Sequence, residues 1–147
     1  MSVKKHTLDM APVQEAFFSD TVLVGLASRL SATSLCRMLN LSFGIRFVRR
    51  PDIDKSIVKA DAGAYYFPGY EYCVPLSDER YILYRLKSRE EYLLPELKQL
   101  DFIWMVQGSN AACKAQELVQ HLRGIPDIQL AQILDTGKLK NRNFLIV

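Results

Sequence analysis

The segment Asp101-Phe102-Ile103-Trp104-Met105-Val106-Gln107 is apolar on both faces of any strand it forms. Successive strand side chains point to opposite sides. Ile103 and Met105 therefore go one way, and Phe102, Trp104 and Val106 the other. Only a strand in the middle of a sheet that is covered on both sides buries both sets. The rest of the chain must supply those neighbours and those covers.

Downstream, Gly108 ends the strand and Ser109 or Asn110 caps a helix from Ala111 to about Arg123. Ala111, Ala115, Leu118 and Leu122 form its apolar stripe, and Gly124 and Pro126 close it. Ile128–Leu134 is strand-like again, so Asp101–Leu134 reads as one βαβ unit. A polar turn, Asp135–Asn143, leads to Phe144–Val147, which suits a last strand. Upstream, Arg80–Ser88 alternates as a half-buried strand. Ile82, Tyr84 and Leu86 face one side of it, and Tyr81, Leu83, Arg85 and Lys87 the other.

Near the start, Lys4–Asp9 suits a short leading strand. Apolar residues then recur at mostly helical spacing from Pro12 to Leu30, with Asp20-Thr21 interrupting them. A second helix follows, capped by Ser31 or Thr33, with Leu35, Met38, Leu39 and Phe43 on one face and Gly44 as its stop. Ile45–Val48 alternates like a strand, and the polar stretch Arg49–Gly63 is a short helix after Pro51 or a loop. The predicted class is α+β: an N-terminal helical pair, then an antiparallel or mixed sheet containing one βαβ unit. With 147 residues, 49% hydrophobic and 24% charged, the chain fits a single domain over residues 1–147 and excludes whole-chain disorder.

The net charge of +3 is small for a dedicated nucleic-acid binder. Cys36, Cys73 and Cys113 are too few and too scattered for a disulfide framework, which points to a reducing cytoplasm. The most apolar run, Val22–Ala27, is far shorter than the roughly 20 residues that cross a bilayer. No signal peptide and no membrane partner are expected.

Leu94-Pro95-Glu96-Leu97-Lys98-Gln99-Leu100-Asp101-Phe102 resembles the signature of the bacterial IPExxxVDY family. Pro95, Glu96 and Asp101 match it outright, and Leu94, Leu100 and Phe102 stand for its Ile, Val and Tyr. The resemblance implies a bacterial cytoplasmic protein and brings no assigned activity or cofactor. Physically, the stretch reads as a clamp. Pro95 opens a helical turn without losing a hydrogen bond, and Glu96 complements its positive end. Asp101 accepts backbone N–H groups where the chain enters the central strand. The chemical alternative makes Glu96 and Asp101 an acid–base pair, which requires them to converge.

No catalytic motif and no metal-ligand spacing stands out, and no cofactor is implied. Gly108-Ser109-Asn110 suits an anion at a helix N-terminus, or plain capping. Tyr65, Tyr66, Phe67, Tyr70 and Tyr72 crowd five rings around the turn Pro68-Gly69, and rings on exposed strands mark interfaces. The first functional expectation is a non-enzymatic binding or assembly module that self-associates through that hairpin. The second is nucleic-acid binding by Tyr81, Arg85 and Lys87 on one strand face, with Arg89 following them on the same side, extended by Arg46, Arg49 and Arg50 or by Lys138, Lys140 and Arg142. The third is an enzyme built on Glu96 and Asp101.

Overall fold

Phe102–Gln107 forms β9, an inner strand of a six-stranded sheet, and Phe102 to Val106 are all buried. The structure is a computed structural model that describes residues 11–60 and 63–147, so the expected Lys4–Asp9 strand lies outside it. Its elements are α1 (Ala11–Ser19), β1 (Thr21–Ser28), α2 (Ala32–Phe43), β2 (Val48–Arg49), β3 (Lys55–Lys59), β4 (Gly63–Phe67) and β5 (Gly69–Cys73). They continue with β6 (Arg80–Arg85), β7 (Lys87–Ser88), β8 (Glu91–Tyr92), β9, α3 (Ala111–Leu122) and β10 (Ile128–Leu134). The main sheet runs β10-β1-β9-β6-β5-β2, and every pairing in it is antiparallel. The class is α+β.

Two separate cores cover this sheet. On one face, Val24, Leu26, Tyr81, Leu83, Phe102, Trp104 and Val106 meet Leu35 and Leu39 of α2 and Ala115, Leu118 and Leu122 of α3. On the other, Leu23, Ile82, Tyr84, Ile103 and Met105 meet Phe18, Ile53, Phe67, the leucines around Pro95, and Leu145. Trp104 is the centre of the helical side. Phe43, Phe47 and Tyr81 meet its ring edge-on at 5.2–5.5 Å.

The helical reading of Pro12–Leu30 needs correcting. The helix stops at Ser19, and Thr21–Ser28 is a strand between β9 and β10. The two N-terminal helices are therefore separated by a sheet strand and do not form a hairpin. Val22–Ala27 is a continuous apolar run, and such a run has no period to tell a doubly buried strand from a buried helix. Gly25 lies where β1 is most tightly covered: a Cβ there would collide with Leu100 and crowd Leu134. Because β9 and β10 both run antiparallel to β1, they are parallel to each other but not adjacent. The strands of the expected βαβ unit thus hold β1 between them.

Other expectations fall on both sides. Ser31 caps α2 by accepting from the Ser34 N–H, and Gly44 ends it at φ 65. Arg49–Gly63 contains a 3₁₀ turn, Pro51–Ile53, followed by β3, so neither a helix nor a plain loop describes it. The strand at Arg80–Ser88 is not half-buried: Tyr81, Ile82, Leu83 and Tyr84 are all covered, because α2 and α3 sit on the side expected to be open. Tyr81 reconciles ring and hydroxyl by packing on Trp104 while its O–H donates to Glu79 at 3.1 Å. Phe144–Val147 is no strand: Arg142–Leu145 is a 3₁₀ turn that plugs Leu145 into the second core.

The aromatic ribbon is divided. Tyr65, Tyr66 and Phe67 lie on β4, which pairs with β3 in a small separate sheet. Tyr70 and Tyr72 lie on β5, which pairs with β6 and β2. Phe67 and Tyr70 are buried, Tyr65 and Tyr72 are half-buried, and only Tyr66 is exposed. The five rings form no single contact surface. The small sheet is needed to cover Ile53 and Tyr84, and this draws the chain apart at Pro68-Gly69. A Cβ on Gly69 would strike Tyr84 and Ile53.

Candidate anion-binding cleft

Asp101 ties together the ends of three strands. Its backbone N–H donates to Leu26 O at 2.8 Å, its carbonyl accepts from Leu86 N–H at 2.9 Å, and its carboxylate accepts from Ser28 N–H at 2.9 Å. The end of β1, the end of β6 and the start of β9 are thereby locked in register. Just past this tie the chain leaves the sheet at each strand end, and a cleft of about 510 Å³ opens among Ser28, Arg29, Leu30, Arg85, Lys87, Arg89, Asp101 and Phe102.

Four cations and one carboxylate line the cleft. Arg29, Arg85, Lys87 and Arg89 are all exposed, and none forms an ion pair among the described residues. Arg29 leaves β1 directly after Ser28. Arg85 is the last residue of β6, opposite Phe102. Lys87 and Arg89 belong to the small hairpin β7–β8. Arg89 occupies its turn at φ 54, a left-handed conformation unusual for arginine. Two tyrosine rings stand beside them, with the Lys87 ammonium 5.7 Å from the Tyr92 ring centre and the Arg89 guanidinium 5.5 Å from that of Tyr65.

Of the residues read as nucleic-acid ligands, the structure unites Arg85, Lys87 and Arg89 and removes Tyr81. The Tyr81 ring is sealed against Trp104 and Phe47, and burial, then the Glu79 carboxylate, pushes its phenol pKa upward. Arg49 and Arg50 are already engaged, Arg49 with Asp54 and Arg50 with Asp52 and Glu71. Arg142 lies over the Phe18 ring in another region. Arg29 was missed by sequence reasoning. Its link to Arg85 runs through the pairings Leu26–Phe102 and Phe102–Arg85, which were invisible while β1 read as helix.

The turn Gly108-Ser109-Asn110 does hold an anion, and it is the protein's own. The Asp78 carboxylate accepts the Ser109 N–H at 2.9 Å, and that bond, with one to the Ser109 side chain, lowers the Asp78 pKa. Glu96 does not merely face the positive end of its turn. It accepts from the Asn141 backbone N–H and side-chain amide, both at 3.0 Å, and so pins the C-terminal segment. Glu96 and Asp101 share no hydrogen-bond partner, and each holds a different piece of backbone. Pro95 starts a 3₁₀ turn, and Leu94, Leu97 and Leu100 are buried beneath it.

Burial pushes the Glu96 carboxyl up, but the bonds from Asn141 and neighbouring backbone outweigh it and leave the pKa below the usual value. A carboxylate whose folded pKa is depressed contributes stability above its unfolded pKa, which is lost as pH falls through the folded value. The Asn141 amide should therefore lose hydrogen-exchange protection, after correction for intrinsic rates, only as pH is taken below the ordinary range of a free glutamate. Unchanged protection below that range would show that the Glu96 contact does not hold this segment.

Among the described residues, no three His, Cys, Asp or Glu side chains gather as a metal site, and no helix is long and apolar enough to cross a membrane. The chain matches no protein-family model, no curated protein and no solved structure.

Proposed function

We propose that the protein is a non-catalytic binding module that grips the phosphates of single-stranded nucleic acid in the cleft of Arg29, Arg85, Lys87 and Arg89. One observation carries the reading: four exposed cations from two separate stretches of chain, Arg29 after β1 and Arg85, Lys87 and Arg89 after β6, converge on one cavity, and none is neutralised by an ion pair among the described residues. Fixed positive charge in a concave site concentrates anions. The half-buried rings of Tyr65 and Tyr92 beside the cations add the stacking surface that single strands use. An arginine at positive φ costs conformational energy, and such strain gathers at functional positions. The cavity volume suits one or two nucleotide units rather than a duplex. The likeness of Leu94–Phe102 to the IPExxxVDY signature adds no chemistry, because Glu96 and Asp101 serve as backbone ties. Cytoplasmic placement fits three cysteines that all stand as free thiols.

Fluorescence anisotropy with a labelled single-stranded oligonucleotide tests the proposal. With three or four phosphates neutralised, affinity should fall about 20- to 50-fold between 50 and 200 mM salt. The double substitution Arg29→Ala/Arg85→Ala should weaken binding at least about tenfold and flatten the salt slope. Both positions are exposed, so folding is spared. Absence of binding at the lower salt, or a double variant that binds like the parent, would end the proposal.

A further inference from the structure

The cleft holds one group that phosphate binding does not explain. The side chains of Arg29, Arg85, Lys87 and Arg89 are donors with no acceptor atom. Leu30 and Phe102 bring only apolar side chains. The Ser28 hydroxyl is engaged, donating to Asp127 O at 2.8 Å and accepting from Leu30 N–H at 3.2 Å. The Asp101 carboxylate is the charged acceptor of this lining. Its Oδ2 accepts from Ser28 N–H at 2.9 Å. Its Oδ1 accepts no hydrogen bond and enters no ion pair among the described residues, yet it is not sealed from solvent.

A negative charge at this place opposes the pull of the four cations on phosphate. The tie to Ser28 needs one oxygen and no charge, and an asparagine would supply it. A ligand that fits the whole lining therefore brings a donor of its own as well as phosphate.

We infer that the strand gripped here is RNA, with Asp101 Oδ1 accepting the hydrogen bond of a ribose 2′-hydroxyl. The inference rests on the phosphate-gripping reading above and names its substrate class. Backbone chemistry makes the choice. Within a DNA strand, phosphodiester and deoxyribose carry no N–H or O–H, so the carboxylate would meet phosphate with nothing to soften the repulsion. An RNA backbone has a single kind of donor, the 2′-hydroxyl, and this is the group by which proteins tell RNA from DNA. It sits on the carbon next to the one that bears the 3′-phosphate. A cation on that phosphate and an acceptor on that hydroxyl thus belong to one small site. Base amines are the other donors of a single strand, but they lie across the sugar from the phosphate. There the Tyr92 and Tyr65 rings, beside Lys87 and Arg89, offer a stacking surface. One free oxygen also suits one hydroxyl better than the paired N–H groups of a guanine edge.

The test uses the full chain and three short labelled uridine strands that differ only in sugar: ribose, 2′-deoxyribose and 2′-O-methyl ribose. In fluorescence anisotropy at about 50 mM salt, the ribose strand should bind about tenfold tighter than either of the others, the effect of one hydrogen bond to a charged acceptor. Asp101→Asn keeps an oxygen for Ser28 N–H and removes the charge. It should tighten the deoxyribose strand about two- to threefold and cut the preference for ribose below about threefold. Circular dichroism and exchange protection of the Ser28 amide check that the variant keeps its fold and its tie. Equal binding of ribose and deoxyribose strands overturns the inference and leaves the phosphate-gripping reading standing. Absence of binding by all three strands ends both. A 2′-O-methyl strand that binds like ribose also overturns the inference, because sugar shape and not the donor would then be read. So does an Asp101→Asn chain that keeps the full preference.

Discussion

Trp104→Ala should destabilise the protein by about 3–5 kcal/mol, the range for emptying a large aromatic site in a packed core. Its ring is fully buried and receives the edges of Phe43, Phe47 and Tyr81. Each such contact is worth about 0.5–1.5 kcal/mol beyond the area it buries. The neighbours belong to α2, β6 and the segment before β2, so the cavity would sit where helical layer and sheet meet and has little means of closing. Melting followed by circular dichroism should drop by roughly 10–15 °C. Trp104→Phe should cost far less, because the indole N–H is buried without a hydrogen-bond partner, and losing it removes a desolvated donor worth about 1–3 kcal/mol. An alanine variant within about 1 kcal/mol of the parent would mean that this ring does not organise the core.

Glu71→Leu is the second substitution expected to act strongly. Glu71 lies on β5, is only 5% exposed, and accepts from Arg50 Nη1 at 2.5 Å and from Arg80 Nε. It joins the short edge strand β2 and its following turn to β6. Removing one member of a sealed ion pair costs about 3–5 kcal/mol, because the other charge is left without a partner. Here the arginine side chains are 43% and 30% exposed and can turn to water, so about 2–3 kcal/mol is expected. Urea unfolding read by Trp104 emission gives the value, since the chain has one tryptophan. Glu71→Gln keeps acceptor atoms and should lose roughly half as much. Equal losses for the two variants would show that shape, not charge, holds this edge.

The most informative stretches of the sequence were those with a clear period or a punctuating residue. Ser31 and Gly44 bracket α2 because a hydroxyl cap and a left-handed glycine are local chemistry. Asp101–Gln107 announces a strand covered on both sides because no other arrangement hides both of its faces. β1 was illegible for the same reason that makes it central: its run of apolar residues has no period. The cleft was half legible. Arg85 and Lys87 stand together in the sequence, but Arg29 joins them only once β1 and β6 flank β9. Tyr81 misled because strand alternation reports a side and says nothing of which layer lies on it. The role of Asp101 as a tie was readable in kind, while its partner Ser28, 73 residues away, was not.

The placement of β1 has a consequence for synthesis. The first strand among the described residues, β1, is flanked by β9 and β10, and the Ser28 hydroxyl bonds to the carbonyl of Asp127, 99 residues on. A ribosome adding about 5–20 residues per second needs about 5–20 s to cover that interval. For that time the apolar run of β1 lacks at least one of its two ladders. Chaperone occupancy on a stalled chain ending before β9 should therefore concentrate on Val22–Ala27 and vanish once β10 has cleared the exit tunnel.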